Sequence, residues 1–284
     1  MIEIQDKDFG SKARFNLEQG GRLELLELDT KIIISDLSNI PYENSYAGAW
    51  LFPWSNRVLD GEFTHLGEKW SLPMNEIENR NAHHGLIYDA KFEIESQANK
   101  SVTLLYNYLG DTPGFPWPFS VRIKCELDGN TFTVNFKAQN TGSNSFPCNV
   151  GWHPYFLSKD LEKSQLHLNA DRHFKPSDRG HVNGWLTPGP SIINFEEHLW
   201  DDAFSLSHPS LRFVTPEYIV ELTQDCINPH YLQIYTPPKT NSVAIEPTTG
   251  IANSLNSGEG INILAPGEFF DVTWSVALEM KNPK

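Results

Sequence analysis

Apolar and polar residues alternate with a period of two along much of this chain. Phe119, Val121, Ile123, Cys125 and Leu127 are separated by mostly polar positions, and Phe132, Val134 and Phe136 resume the pattern after Asp128-Gly129. Successive side chains of an extended chain point to opposite faces, so the pattern predicts an antiparallel pair with one buried face. Its strands, Phe119 to Leu127 and Thr131 to Phe136, meet across Asp128-Gly129, a favoured two-residue hairpin turn. The same period marks Tyr218 to Leu222, Tyr231 to Tyr235, and Phe270, Val272, Trp274, Val276 and Leu278. Arg22 to Glu27 and Lys31 to Asp36 read as the opening strands, and Asp60 to Pro73 as a short hairpin with His65 exposed on its turn. No stretch of comparable length has helical periodicity. Strands at this density, punctuated by 19 glycines and 19 prolines, predict an all-β sandwich or barrel. No linker, charge block, low-complexity tract or repeat interrupts residues 1–284, which read as a single domain.

Composition narrows the class of ligand. A formal net charge of -14 argues against nucleic acid and anionic membranes, both of which need a basic footprint, and suits a neutral ligand. No apolar run approaches the length of a membrane span, and the N-terminus lacks a basic region followed by an apolar one, so a cytoplasmic protein is expected. The three cysteines, Cys125, Cys148 and Cys226, form no Cys-x-x-Cys pair and read as reduced, buried thiols. Gly258-Glu259-Gly260 lacks the third glycine of a dinucleotide site, and no phosphate loop or nucleophile elbow is present. No cofactor is expected.

Candidate chemistry sits in three stretches. In Gly151-Trp152-His153-Pro154-Tyr155-Phe156 a histidine lies among large flat rings, with Pro154 biasing it towards an extended backbone. In Ser242-Val243-Ala244-Ile245-Glu246-Pro247 a carboxylate ends an apolar run that looks like a buried strand, where Glu is rarely found without a reason. Asn81-Ala82-His83-His84-Gly85 adds another imidazole; in an extended segment His83 and His84 point to opposite faces, so only one of them can face a pocket. Two imidazoles and a carboxylate make an acid/base set. As a metal site, His84, His153 and Glu246 lack any short-range ligand pair, and none is expected. Gly48 to Arg57, rich in aromatics and proline, reads as a loop over a pocket.

With these stretches the sequence resembles the aldose 1-epimerase (mutarotase) family. The resemblance is carried, in order, by Pro53-Trp54-Ser55-Asn56-Arg57 with Asp60-Gly61 and Phe63, His84-Gly85, Gly151 to Phe156, Asp201-Asp202-Ala203-Phe204, Glu246-Pro247 with Gly250, and Leu264-Ala265-Pro266-Gly267-Glu268. It implies a large antiparallel β-supersandwich and an isomerase that interconverts the anomers of an aldose without a cofactor. It further implies Glu246 as general base, His153 as general acid on the ring oxygen and His84, before its glycine, as a second donor to that oxygen. Arg57, Asn56 and either Asp201 or Asp202 would bind hydroxyls, with Trp152 and Tyr155 walling the pocket. Trp152 and Pro154 stand where the galactose mutarotases typically carry Asn and Ser or Thr, and Gly250-Ile251-Ala252 where they carry Pro-Asp-Ala. These departures point to a broader bacterial-type branch rather than to galactose. A sugar 6-phosphate, held near Arg57, Lys69 and Arg80, and a carbohydrate-binding protein without turnover are the alternatives. A monomer or homodimer is expected. From ordinary pKa values, Glu246 is ionised at pH 7 and His153 must be partly protonated to act as an acid.

Overall fold

The computed structural model describes residues 1–37, 39–186, 188–196, 199–226 and 229–280. Two large antiparallel sheets carry most of the chain. The larger runs in the order Ile2–Asp6, Ser11–Asn16, Arg22–Leu28, Lys31–Ser35, Tyr155–Leu157, Ser242–Thr248, His230–Tyr235, Asp201–Leu206, Ala170–Pro176 and Val182–Leu186. The short strands Gly151–Trp152 and Trp50–Leu51 extend it beside Ser242–Thr248. The second sheet centres on Phe119–Asp128, Thr131–Asn140, Phe269–Met280 and Tyr218–Asp225. Among the described residues the α-helices, Tyr42–Ser45 and Ser254–Ser257, have four residues each. No helix among them is long and apolar enough to cross a membrane.

The alternation in sequence becomes the alternation in burial. Thr131–Asn140 buries every second residue, and the faces carrying Phe132, Val134 and Phe136 close on the other sheet. Trp50 stacks on Trp152 with ring centroids 5.4 Å apart, and Trp274 of the second sheet lies 6.2 Å from Trp50, so tryptophans join the two layers at the centre. Burying aromatic surfaces of this size is the main favourable term in such a core. A polar clamp crosses the same interface. The Trp274 indole N–H donates to Gln224 Oε1 at 2.8 Å, and Gln224 Nε2 donates to the Thr248 carbonyl at 3.0 Å. Satisfied this way, a buried amide ties the strand that ends at Thr248 to the opposite sheet.

Several details differ from the sequence reading. Ile2–Asp6 and Ser11–Asn16 precede the strands taken as the opening ones; their alternating runs are short. The central hairpin pairs Asp128 with Thr131, so its loop is Gly129-Asn130, with Gly129 at φ 59°. A glycine at the first loop position supplies the positive φ that the tight turn needs, which shifts the register by one residue. His65 is buried rather than exposed: it ends the strand Glu62–His65, its Nε2 lies 2.9 Å from the Ser145 carbonyl, and Trp117 covers its ring. The turn falls on Leu66-Gly67 instead. Trp50 and Phe52 do not cover a pocket; both lie in the core at 0% exposure, and Trp54 is buried at 1%. Cys125 and Cys148 are buried, whereas Cys226 is only half-buried.

Candidate functional site

Register lays out the floor of a cleft on the larger sheet. Tyr155 pairs with Ala244, Ala244 with Tyr235, and Tyr235 with Asp201, which makes one row across four strands. The next row sets Gln233 beside Glu246. Residues two apart share a face, so Tyr235 and Gln233, like Ala244 and Glu246, point to the same side. The resulting cleft has a volume of about 350 Å³, and its walls are completed by His153, His83, His84, Arg57 and Tyr46.

Period two also decides which of two neighbours reaches the cleft. His153 faces it, so Trp152 points the other way into the tryptophan stack and is not a pocket wall. Asp201 faces it, with its Oδ1 accepting from Gln233 Nε2 at 2.8 Å. Asp202 lies on the reverse face, where its Oδ2 sits 2.8 Å from His173 Nε2, and is not part of the lining. Asn56 and Tyr155 line the cleft as expected, the latter donating its hydroxyl to the Ser45 carbonyl at 3.2 Å.

The paired histidines break the alternation. His84 adopts φ 65° and Gly85 φ 79°, so the backbone turns between His83 and Gly85 and both imidazoles reach the same cleft. Their rings stack with centroids 3.6 Å apart. Asn56 and His84 bond reciprocally: the His84 N–H donates to the Asn56 carbonyl at 3.0 Å, and the Asn56 N–H donates to His84 Nδ1 at 3.2 Å. With Nδ1 accepting, the neutral ring must carry its proton on Nε2. His84 is thereby fixed as an Nε2–H donor.

Glu246 and His153 meet at 3.4 Å, Oε1 to Nε2, with only 2% and 5% of each residue exposed. His153 is held by its backbone, whose N–H donates to the Ala49 carbonyl at 2.9 Å and whose carbonyl accepts from Gly48 at 2.8 Å. Burial lowers His153 to about 4, partly offset by a backbone hydrogen bond. Burial, then the neighbouring Asp201 carboxylate, push Glu246 well above the usual carboxylate range, with Arg57 pulling back. Both shifts reverse the expectation from ordinary values of an ionised Glu246 and a partly protonated His153. Each group resists charge in a dry setting, so the neutral pair, protonated carboxyl beside neutral imidazole, is favoured. Burial likewise keeps His83 and His84 well below the ordinary imidazole value.

Arg57 opens the short strand Arg57–Leu59, which pairs with Asn81–His83. Its Nε donates to Glu76 at 3.1 and 3.0 Å, and Nη1 to Asn56 Oδ1 at 3.3 Å. Gly180 packs against the guanidinium so closely that a Cβ there would lie 2.6 Å from Arg57 Cζ. Four carboxyl groups, Glu43, Glu76, Asp201 and Glu246, line the cleft against this one guanidinium, counting the described residues. Lys69 and Arg80 do not join it; they pair with Glu62 and Asp60 elsewhere. Sequence reasoning missed Glu76, Gln233, Tyr235 and Tyr46. Gln233 and Tyr235 are recoverable only from pairing with the Glu246 strand, and Glu76 carries no signal in its local sequence.

The aldose 1-epimerase family profile matches residues 7–277, nearly the whole chain. The chain belongs to the aldose 1-epimerase family. It is 28% identical over 247 residues to the uncharacterized protein YihR of Escherichia coli, covering 80% of this chain and 79% of that protein. Its fold is similar to a galactose mutarotase-like protein from Clostridium acetobutylicum, at TM-score 0.84 and 20% identity over 96% of this chain and 94% of that one. A GalM/aldose epimerase homologue from C. elegans gives TM-score 0.83 and 17% identity over 99% of each chain. Family membership supports a sugar isomerase of the mutarotase type.

Proposed function

We propose that this epimerase-family protein interconverts the α and β anomers of a free aldose by acid/base ring opening and closure. The observation that carries the proposal is the Glu246–His153 contact at 3.4 Å, with the His84 ring 5.3 Å from that of His153 in the same cleft. Transfer of the shared proton from Glu246 to His153 gives the carboxylate and imidazolium that ring opening needs, and sugar hydroxyls donating to Glu246 favour that form. Glu246 then takes the proton from the hydroxyl on carbon 1 while the bond from carbon 1 to the ring oxygen breaks. His153 protonates the ring oxygen, and His84 donates its Nε2–H to the same atom. Rotation about the bond between carbons 1 and 2, followed by closure on the other face, inverts the centre and returns both protons. Arg57, Asp201 and Gln233 hold hydroxyls, and Tyr155 and Tyr235 supply flat walls. No covalent intermediate is needed.

Local charge favours an uncharged sugar over a sugar 6-phosphate. Among the described lining residues carboxyl groups outnumber the single guanidinium, which Glu76 already engages, so no unpaired cation is left to hold an anion. Anomeric exchange measured by NMR over a panel of free aldoses and sugar 6-phosphates tests the reading. At least one free aldose is expected to equilibrate faster, and the phosphates to be unaffected. A sugar that binds without faster exchange would instead establish a carbohydrate-binding protein.

A further inference from the structure

We infer that the aldose cleft is one half of a longer site that holds a reducing disaccharide, its second ring attached through carbon 6 and seated over Tyr88 and Thr112, with the buried Trp54 indole beneath it. The inference rests on the reading of Glu246, His153 and His84 above. A second cavity of about 240 Å³ adjoins the first, and the two share Asn75 and His83 as a common wall. Its lining mixes flat rings with hydroxyl and amide groups, as a sugar site requires.

One buried group there lacks a partner. Trp54 lines this cavity at 1% exposure, and its indole N–H has no acceptor among the described residues. A buried donor left unpaired costs about 1–3 kcal/mol, so an acceptor brought by a ligand, such as a sugar hydroxyl, is favoured. The Tyr88 hydroxyl accepts from Asn75 Nδ2 at 3.2 Å and can still donate its own proton. None of the described lining residues of this cavity is Lys or Arg, which again suits an uncharged ligand.

The chemistry of the first ring sets the linkage. On that reading the ring oxygen lies against His84, and its two bonded neighbours are carbon 1, held at Glu246, and carbon 5. His83 stacks on His84 at 3.6 Å and continues the wall beyond the ring oxygen. Carbon 6, carried by carbon 5, is therefore the position nearest the shared wall, whereas carbon 3 lies directly across the ring. A substituent on the carbon 6 oxygen passes over His83 and Asn75 into the second cavity.

Thr112→Trp and, separately, Pro73→Trp fill the second cavity without touching the first, and Pro73 is exposed. Exchange rates are compared for glucose, a 1→6-linked and a 1→4-linked glucose disaccharide. The native protein should prefer the 1→6-linked sugar to the 1→4-linked one, and either variant should lower kcat/KM for it by about tenfold or more while leaving glucose unchanged. Equal handling of the two disaccharides, or variants that affect glucose and disaccharide alike, overturns the inference. Calorimetric binding to the Glu246→Gln protein separates the two readings. If no sugar exchanges faster yet the 1→6-linked disaccharide binds and either variant abolishes that binding, the second subsite stands and the catalytic reading falls. If neither disaccharide binds, or binding ignores both variants, the subsite falls whatever the turnover.

Discussion

At the scale of single residues, the decisive feature is a carboxyl and an imidazole that both resist charge and so hold one proton between them. Adding a second proton titrates His153, lowered by burial to about 4, and removing the single proton titrates Glu246, raised by burial and by Asp201. The profile of kcat/KM should therefore be bell-shaped, with an acid limb below the ordinary histidine range and a basic limb above the ordinary carboxylate range. Glu246→Gln should remove the basic limb and lower turnover by about 10²–10⁴-fold with a smaller change in sugar affinity, read by NMR exchange and calorimetry. His153→Asn should lower turnover similarly. Native turnover with lost affinity in Glu246→Gln would make the carboxylate a ligand contact instead of the base. Arg57→Ala should chiefly weaken binding, because its guanidinium is placed to hold hydroxyls and not to move a proton.

At the scale of elements, local backbone conformation aims the side chains. The strand through Gly151–Trp152 sends Trp152 into the core and His153 to the cleft, so replacing the tryptophan should cost stability and not affinity. Trp152→Ala should lose about 3–5 kcal/mol in a urea titration, the usual cost of emptying a large aromatic site. Unchanged stability with weakened sugar binding would restore Trp152 to the pocket wall. Gly180 makes the converse case. It sits at φ 73° against the Arg57 guanidinium, so Gly180→Ala must push that side chain aside. A raised KM with little change in kcat is expected, which steady-state kinetics would check.

For the whole molecule, the site stores instability that the two sheets offset. Glu246 has a folded pKa raised above its unfolded one, so its contribution to stability is lost as pH rises from the ordinary carboxylate range through the raised value. Glu246→Gln should thus raise the melting temperature at pH 8, and the gain should shrink towards pH 5; calorimetry across that range tests it. His153 behaves in the opposite sense. Its folded pKa of about 4 lies below the unfolded value near 6.5, so about 3 kcal/mol is lost as pH falls between the two. His83 and His84 add in the same direction.

How much of this was legible in the sequence follows from which forces are local. Alternation from Phe119 to Phe136, the turn glycine beside Asp128 and the apolar run into Glu246 settle an all-β chain, because period-two burial is written residue by residue. Short ordered motifs likewise mark His84, His153, Glu246, Arg57 and Asn56, all of which line one cleft. Choosing Asp201 over Asp202 and His153 over Trp152 needed the sheet, since alternation says that neighbours face opposite ways but not which way is the core. His83 joins His84 only because a left-handed residue breaks that alternation, a conformation the sequence does not announce at a histidine. Glu76, Gln233 and Tyr235 were set by strands that pair across long stretches of chain. The protonation of Glu246 and His153 was decided last and entirely by the fold, because the burial that shifts them exists only once both sheets have closed around the cleft.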